Sequence, residues 1–351
     1  MSEPQRIAIL AEGLFNDHHA KTAHGVIRYG ERPVVAVIDS HLAGREADDV
    51  VPFCARPVPI VATLEEAVAL GAQRVLVGVA TTGGVLPEEW RPLLLGAIEA
   101  GLDLEAGLHT LLSDDPELSA AAQGRGVELR DLRFGPGDLD LPHGLDERPA
   151  ALRVVHSVGS DCVIGKKAIT LELDAAARAR GVSSAFVPTG QTGIAIAGWG
   201  IAVDHVLSDF VAGAGDRLVR EGAARADLLW LEGQGALFHP AYSAVTLGLL
   251  HGSRPDALVL AHKAGARVIH NYPEVELPPL GDLVRAYEAI CRPVRPTRVL
   301  AVALNTVELD EHEARRAVEE AEAATGLVAE DAVRFGSERL LDAVLAGLDG
   351  S

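Results

Sequence analysis

Lysine, cysteine and aromatic side chains are all scarce in this chain, and each scarcity excludes something. Only Lys21, Lys166, Lys167 and Lys263 are lysines among 31 basic residues, which face 50 acidic ones for a formal charge of −19. A field of that sign does not gather nucleic acid, and no basic stripe or recognition motif offsets it, so no nucleic-acid partner is expected. An anionic ligand must instead be held by a local site. The three cysteines, Cys54, Cys162 and Cys291, are too few and too widely spaced for a disulfide framework, which points to a reducing compartment. Aromatics make up 4% of the residues while 48% are hydrophobic, so Ala, Val, Leu and Ile must fill the cores. No apolar run reaches the ~18 residues of a membrane span, and the opening residues do not read as a secretion signal. A cytoplasmic protein without a membrane partner is expected.

Several motifs are also missing. The turn after the first apolar segment reads Glu12-Gly13-Leu14-Phe15 rather than G-x-G-x-x-G, so NAD binding is not expected. There is no G-x-S-x-G elbow for a serine hydrolase and no paired cysteines or H-E-x-x-H for zinc. His18 and His19, with His24 nearby, read as surface histidines, and no metal is assigned.

What is present alternates between strand and helix. Apolar runs at 6–11, 33–38, 74–80 and 102–106 read as strands, with helices at 20–29, 64–70 and 90–100 and a helix and strand within 117–132. The pattern predicts an α/β protein whose residues 1–135 form a Rossmann-like parallel sheet domain. Residues 136–151, rich in Gly, Pro and acidic side chains, read as a linker. Alternation resumes over 152–351. Strands are predicted at 152–158, 183–188, 226–231, 256–261 and 298–304. Helices are predicted at 166–180, 204–222, 241–250, 282–290, 310–324 and 335–349, with a Gly-rich turn at 189–200. The Ala- and Leu-rich helices suit a subunit interface as well as a core, and a homo-oligomer is expected.

The segment Gly159-Ser160-Asp161-Cys162-Val163-Ile164-Gly165-Lys166-Lys167 carries the most chemistry. A buried strand runs into a glycine, five residues follow, and a helix opens at Gly-Lys. Such a loop curls its N–H groups around phosphate, the helix terminus adds positive charge, and the lysine reaches the outer phosphates. A second P-loop domain, NTPase-like in fold, is therefore expected. The glycine spacing is one residue longer than usual, and Lys167 stands where a Ser or Thr hydroxyl ordinarily binds Mg²⁺. The loop resembles that of the dethiobiotin synthetase branch of P-loop proteins. Asp227 to Gly235, with Glu232-Gly233-Gln234-Gly235 at a strand end, resembles the same branch's metal-holding strand.

Over nearly its full length the chain is also similar to the D-glutamate N-acetyltransferase family, formerly a family of unknown function. The likeness rests on Ala20 to Tyr29, the loop Gly159 to Lys167, Thr189 to Gly193, Val203 to Phe210, Glu232 to Gly235, His262-Lys263 and Leu304 to Thr306. All four lysines fall inside these segments. The resemblance implies a Rossmann-like domain joined to a P-loop domain, and transfer of an acetyl group from acetyl-CoA to the amino group of D-glutamate.

Acyl transfer to an amine needs a base, donors for the oxyanion and a proton for the thiolate. Glu232 at a buried strand end suits a base or a metal ligand. Asp204 and Asp209 suit an ammonium anchor or base, and His262 a general acid or base. The cofactor-binding candidates are Gly159, Ser160, Asp161, Cys162, Gly165, Lys166 and Lys167, with Asn305 placed for the nucleotide base. Cys162 reads as a small residue filling a tight loop. Its alternative is a thioester-forming nucleophile, because helix amides and two lysines lower a thiol pKa. Thr189, Gln191 and Thr192 suit a substrate carboxylate, as does Lys263, while Lys21 and Arg28 are candidates from the first domain. Acetyl-CoA is the expected co-substrate. The alternatives are an ATP- and Mg²⁺-dependent ligase or kinase of the dethiobiotin synthetase type, and a non-catalytic nucleotide or CoA sensor.

Overall fold

A computed structural model describes residues 4–142 and 148–350, which divide into two compact units. The first comprises residues 1–135 together with Gln191–Ala202, and the second Pro136–Gly190 with Val203–Ser351.

In the first unit six strands form one parallel sheet: β1 (Ile7–Leu10), β2 (Val34–Ile38), β3 (Ile60–Val61), β4 (Arg74–Val77), β5 (Asp103–Ala106) and β6 (Leu129–Asp131). Their order is β3-β2-β1-β4-β5-β6, the doubly wound order of a Rossmann-like sheet. All four residues of β1 are buried, as expected of a central strand covered on both faces. The helix Lys21–Tyr29 follows it and buries Ala23, Val26 and Ile27. His24 is buried too, edge-on to Phe15, which corrects its reading as a surface residue; His18 and His19 are exposed. The short strand β3 was not expected, because two paired residues leave no periodic signal.

The Gly-rich segment 189–200 was expected to be a turn, yet Gln191–Ala197 is a helix of the first unit. Its buried residues Ile194, Ala195 and Ile196 override the low helix propensity of glycine. Gly25 lets it approach, since a Cβ there would lie 2.9 Å from Ile196 Cδ1. Arg32 donates to Ala195 O at 2.7 Å and also to buried Glu105, which pairs in turn with Arg74.

The second unit has a six-stranded parallel sheet: β7 (Arg153–Gly159), β8 (Ser184–Val187), β9 (Leu228–Leu231), β10 (Ala257–Lys263), then, after a two-stranded hairpin of β11 (Val268–Ile269) and β12 (Tyr272–Glu276), β13 (Arg298–Asn305) and β14 (Val328–Glu330). The order β14-β13-β10-β7-β9-β8 places the loop-bearing β7 between β9 and β10. Alternate residues face opposite layers. Val155, Trp230 and Val259 pack with the helices Lys166–Ala179 and Glu338–Asp349, whereas Val158, Leu258 and Leu260 pack with Leu280–Cys291. The hairpin and β14 were not expected. The helix predicted at 204–222 begins only at Val211 and runs to Ala223. Two single turns, Val203–His205 and Ser208–Phe210, precede it, interrupted by Leu207 in an extended conformation (ψ 138°). Part of the expected linker, 143–147, lies outside the described residues. Asp138 within it pairs with Arg217 at 2.7 Å. Among the described residues no helix is long and apolar enough to cross a membrane.

Candidate functional site

The carboxyl edge of the second sheet collects the chemistry. At this edge of an open parallel sheet, strand ends deliver side chains and the following helices deliver N-termini. The loop after β7 ends at Gly165, whose left-handed φ of 99° starts the helix Lys166–Ala179. A side chain at Gly165 would strain that backbone, which is why glycine precedes the lysine. Lys166 is 7% exposed, and its Nζ donates to Asp161 O at 2.7 Å. Burial pushes its pKa down to about 8, against the opposing pull of Cys162, Asp161 and Glu232. An ammonium folded onto its own loop carbonyl is a cation with a replaceable partner, and an anion in the loop would be a stronger acceptor.

Glu232 follows β9 and is buried. Its Oε2 accepts from Thr189 N at 3.0 Å, and the Thr189 hydroxyl donates to Glu232 O at 2.8 Å. Burial raises the proton affinity of this carboxyl. Lys167, the N–H groups of Thr189 and Gly190, and Lys166 oppose that rise without cancelling it. The backbone is seated by Ser157 on β7, whose Oγ accepts from Gly233 N at 2.9 Å and from Thr170 Oγ1 at 2.9 Å. A Cβ at Gly233 would lie 1.7 Å from Ser157 O, so only glycine permits this approach.

His262, near the end of β10, meets Ser160 Oγ through Nδ1 at 2.9 Å. Burial lowers its pKa to about 4, so the ring is neutral at pH 7 and available as a hydrogen-bond partner rather than a cation. Asp161 is buried and accepts from Cys162 N and His270 N, each at 2.6 Å. The lowering of the Cys162 pKa that the nucleophile alternative requires does not occur. Burial raises it, Asp161 raises it further, and Lys166 alone opposes. Asn305 donates to Ile164 O at 3.1 Å and accepts from Val307 N, tying β13 to the loop. Lys263 is half-buried and paired with Glu308 at 2.7 Å.

The remaining candidates fall elsewhere. Asp204 and Asp209 are exposed in the two single turns rather than at a helix start. Val203 N donates to Thr189 O at 3.0 Å, so Thr189 is joined to the start of that segment. The run Thr189 to Gly193 is not one turn: Thr189 and Gly190 belong to the second unit, and Gln191 and Thr192 open the helix of the first. The Thr192 hydroxyl is 2.7 Å from that of Thr22. Arg28 donates to Phe53 O at 3.2 Å and lies over the Phe53 ring, and Lys21 is exposed at the start of its helix; all are in the first unit.

Two residues escaped sequence reasoning. Tyr287 is fully buried. Its hydroxyl donates to Gly159 O at 2.7 Å and accepts from Leu237 N at 3.0 Å, bracing the loop from below. His239 lies within 4.8 Å of Asp161 and Cys162, measured between potential ligand atoms. Neither has a sequence neighbour that marks it; the signal is topological, each lying on a segment that returns to the end of β7.

Comparison with known proteins bears on both units. Residues 144–341 match the model of a P-loop domain described as a domain of unknown function, DUF1611_C, and residues 40–134 match the accompanying Rossmann-like domain, DUF1611_N. The chain is 40% identical over 287 residues to a D-glutamate N-acetyltransferase of Tritonibacter scottomollicae, covering 81% of this chain and 84% of that one. It is 32% identical over 286 residues to one from a Pseudoalteromonas species, covering 81% and 83%. A crystal structure of a DUF1611 family protein from Anabaena variabilis superposes with a TM-score of 0.88 at 41% identity, covering 97% of this chain and 99% of that one.

Proposed function

The chain belongs to the DUF1611 family, carrying both of its domains, and we propose that it is an N-acetyltransferase that moves an acetyl group from acetyl-CoA to the amino group of D-glutamate. The observation that carries this reading is the identity to two enzymes named for that activity, spread over some four-fifths of each chain. The geometry of the second unit supports it. Coenzyme A brings a pyrophosphate and a further phosphate, and the loop Gly159 to Lys167 is built for such groups. Lys166 would exchange Asp161 O for a phosphate oxygen. Lys167, in place of a Mg²⁺-binding hydroxyl, supplies positive charge at the position where that Mg²⁺ would sit.

The amine must lose a proton before it attacks the thioester carbonyl. Glu232 is the group for that task, because burial gives it more basicity than a solvated carboxylate. As the carbon–nitrogen bond forms and the carbon–sulfur bond breaks, the departing thiolate takes a proton. The products are the N-acetylated amino acid and free coenzyme A. Thr189, beside Glu232, offers its hydroxyl proton to a substrate carboxylate on leaving Glu232 O, and Lys263 offers its ammonium on leaving Glu308.

Thiol release from acetyl-CoA, followed with D-glutamate and L-glutamate in parallel and with product mass, tests the reading. A gain of one acetyl group on D-glutamate alone is expected. Failure of both amino acids, with ADP formed from ATP over an amino-acid panel, would replace it with a ligase or kinase, the reading that the position of Glu232 favours. Lys167→Thr separates the two further. If the loop serves coenzyme A, the variant loses acetyl-CoA affinity; if it serves ATP, hydrolysis is equal or improved.

A further inference from the structure

Asp161, Cys162 and His239 meet at the mouth of the loop, and their carboxylate oxygen, thiol sulfur and ring nitrogen all lie within 4.8 Å of one another. The first two are adjacent in the loop after β7, while His239 arrives on the segment after β9. The ring is 2% exposed and held on two sides: it stacks on Tyr242 at 4.7 Å and meets Tyr272 edge-on at 5.3 Å. The hairpin that carries Tyr272 also holds Asp161, through His270 N. Two separate segments therefore bring three different donor atoms within 4.8 Å of one another.

We propose that these three residues form a binding site for a divalent transition metal of the zinc and cobalt class, with a fourth position open to water or an anionic oxygen. Sulfur and imidazole select such ions over Mg²⁺, which demands oxygen ligands in octahedral geometry. Three protein ligands with one vacancy is the pattern of reactive rather than structural zinc sites. Bond lengths of about 2.0–2.3 Å put tetrahedral ligand atoms roughly 3.3–3.8 Å apart, so the cluster closes by about 1 Å on binding. Cys162 is half-buried in a loop and can make that movement. On binding, the Cys162 thiol releases its proton to solvent, and the carboxylate and thiolate together balance the ion's charge.

One contact must yield. Ala241 N–H donates to His239 Nδ1 at 3.1 Å, which leaves the ring proton on Nε2. A metal at Nδ1 replaces that donor, and a metal at Nε2 moves the ring proton to Nδ1, where it cannot face Ala241 N–H. Either way a single long bond is exchanged for a metal–nitrogen bond. The site does not depend on the acetyl-transfer reading, since the fold brings its three residues together whatever reaction the protein performs.

Cobalt titration of the metal-stripped full-length protein, followed by absorbance, tests the proposal. A thiolate-to-cobalt band in the near ultraviolet, together with strong visible bands of tetrahedral cobalt, is expected at one equivalent. Cys54 and Cys291 are buried in the cores, so the near-ultraviolet band should vanish in Cys162→Ser, a substitution that keeps a small polar residue in the loop. His239→Gln should weaken cobalt binding at least tenfold while circular dichroism is unchanged. Wild-type protein that binds cobalt without the thiolate band, through its exposed histidines or not at all, overturns the proposal. So does a band that persists in Cys162→Ser, or wild-type affinity in His239→Gln.

Discussion

Glu232 is the side chain on which the proposed chemistry turns, and its environment makes a specific demand. A buried carboxyl with raised proton affinity is active as a base only once deprotonated. The kcat/KM of the wild type should therefore fall as pH drops through a pKa above the ordinary carboxylate value of 4.5, the direction that burial imposes. Glu232→Gln should lose about 10²–10⁴-fold in kcat and also lose that acid limb, as read by thiol release across pH. A variant that keeps the limb assigns it to another group. Sequence alone marked Glu232, because a carboxylate ending an apolar strand is costly unless used. It did not reveal that Lys167 and the N–H groups of Thr189 and Gly190 oppose the effect of burial, for these come from a helix start and from the segment after β8. His239 and Tyr287 were illegible for the same reason. A lone histidine or tyrosine acquires meaning only from what the sheet sets beside it.

At the scale of elements, two contacts have measurable consequences. Gly233→Ala would drive a methyl group into Ser157 O, at 1.7 Å in the present backbone, so β7 and the turn after β9 must separate. A cost on the order of 3 kcal/mol is expected. That corresponds to a fall of roughly 6–12 °C in melting temperature, measured by calorimetry. The first unit depends on Glu105, whose side chain is fully buried between Arg32 and Arg74. Burial works against its charge, but Arg32, Arg130 and Arg74 outweigh that and hold its pKa below the ordinary 4.5. A depressed pKa stabilises the fold above the unfolded value, and that contribution is lost as pH falls through the folded value. Glu105→Gln should destabilise the unit by on the order of 1–3 kcal/mol at pH 7, because Arg32 loses its carboxylate partner while Arg74 keeps Asp103 and Glu128. It should also remove part of the acid sensitivity seen in denaturant unfolding between pH 7 and 3. Equal stability of variant and wild type at pH 7 would deny the network this role. These elements differ in how well the sequence announced them. The helix Glu311–Thr325 carries its own capping box, Asp310 with Glu313, and a terminal glycine. The helix Gln191–Ala197 ends on the left-handed Gly198, but it contains a glycine and follows Gly190, which has no capping side chain, and it forms because its apolar side is buried in the first unit.

For the whole molecule, charge is the property that matters. A chain of net charge −19 repels both of its proposed substrates, acetyl-CoA and D-glutamate, which are anions. Raising ionic strength from ~0.01 to ~0.15 M shortens the screening length from about 30 to about 8 Å. If the global field governs encounter, kcat/KM should rise several-fold over that range. A fall would mean that the lysines of the loop dominate approach as well as binding. Charge, the α/β class, the two sheets and the phosphate loop were all present in the order of residues, because composition, period-two and period-3.6 patterns and glycine spacing are local properties. Tertiary structure alone decided that residues 191–202 pack with the first unit, that Asp204 and Asp209 lie in exposed turns, that the Cys162 thiol is raised rather than lowered, and that His239 faces it. Each of those depends on burial or on a partner distant in sequence, and neither is encoded in a residue's immediate neighbours.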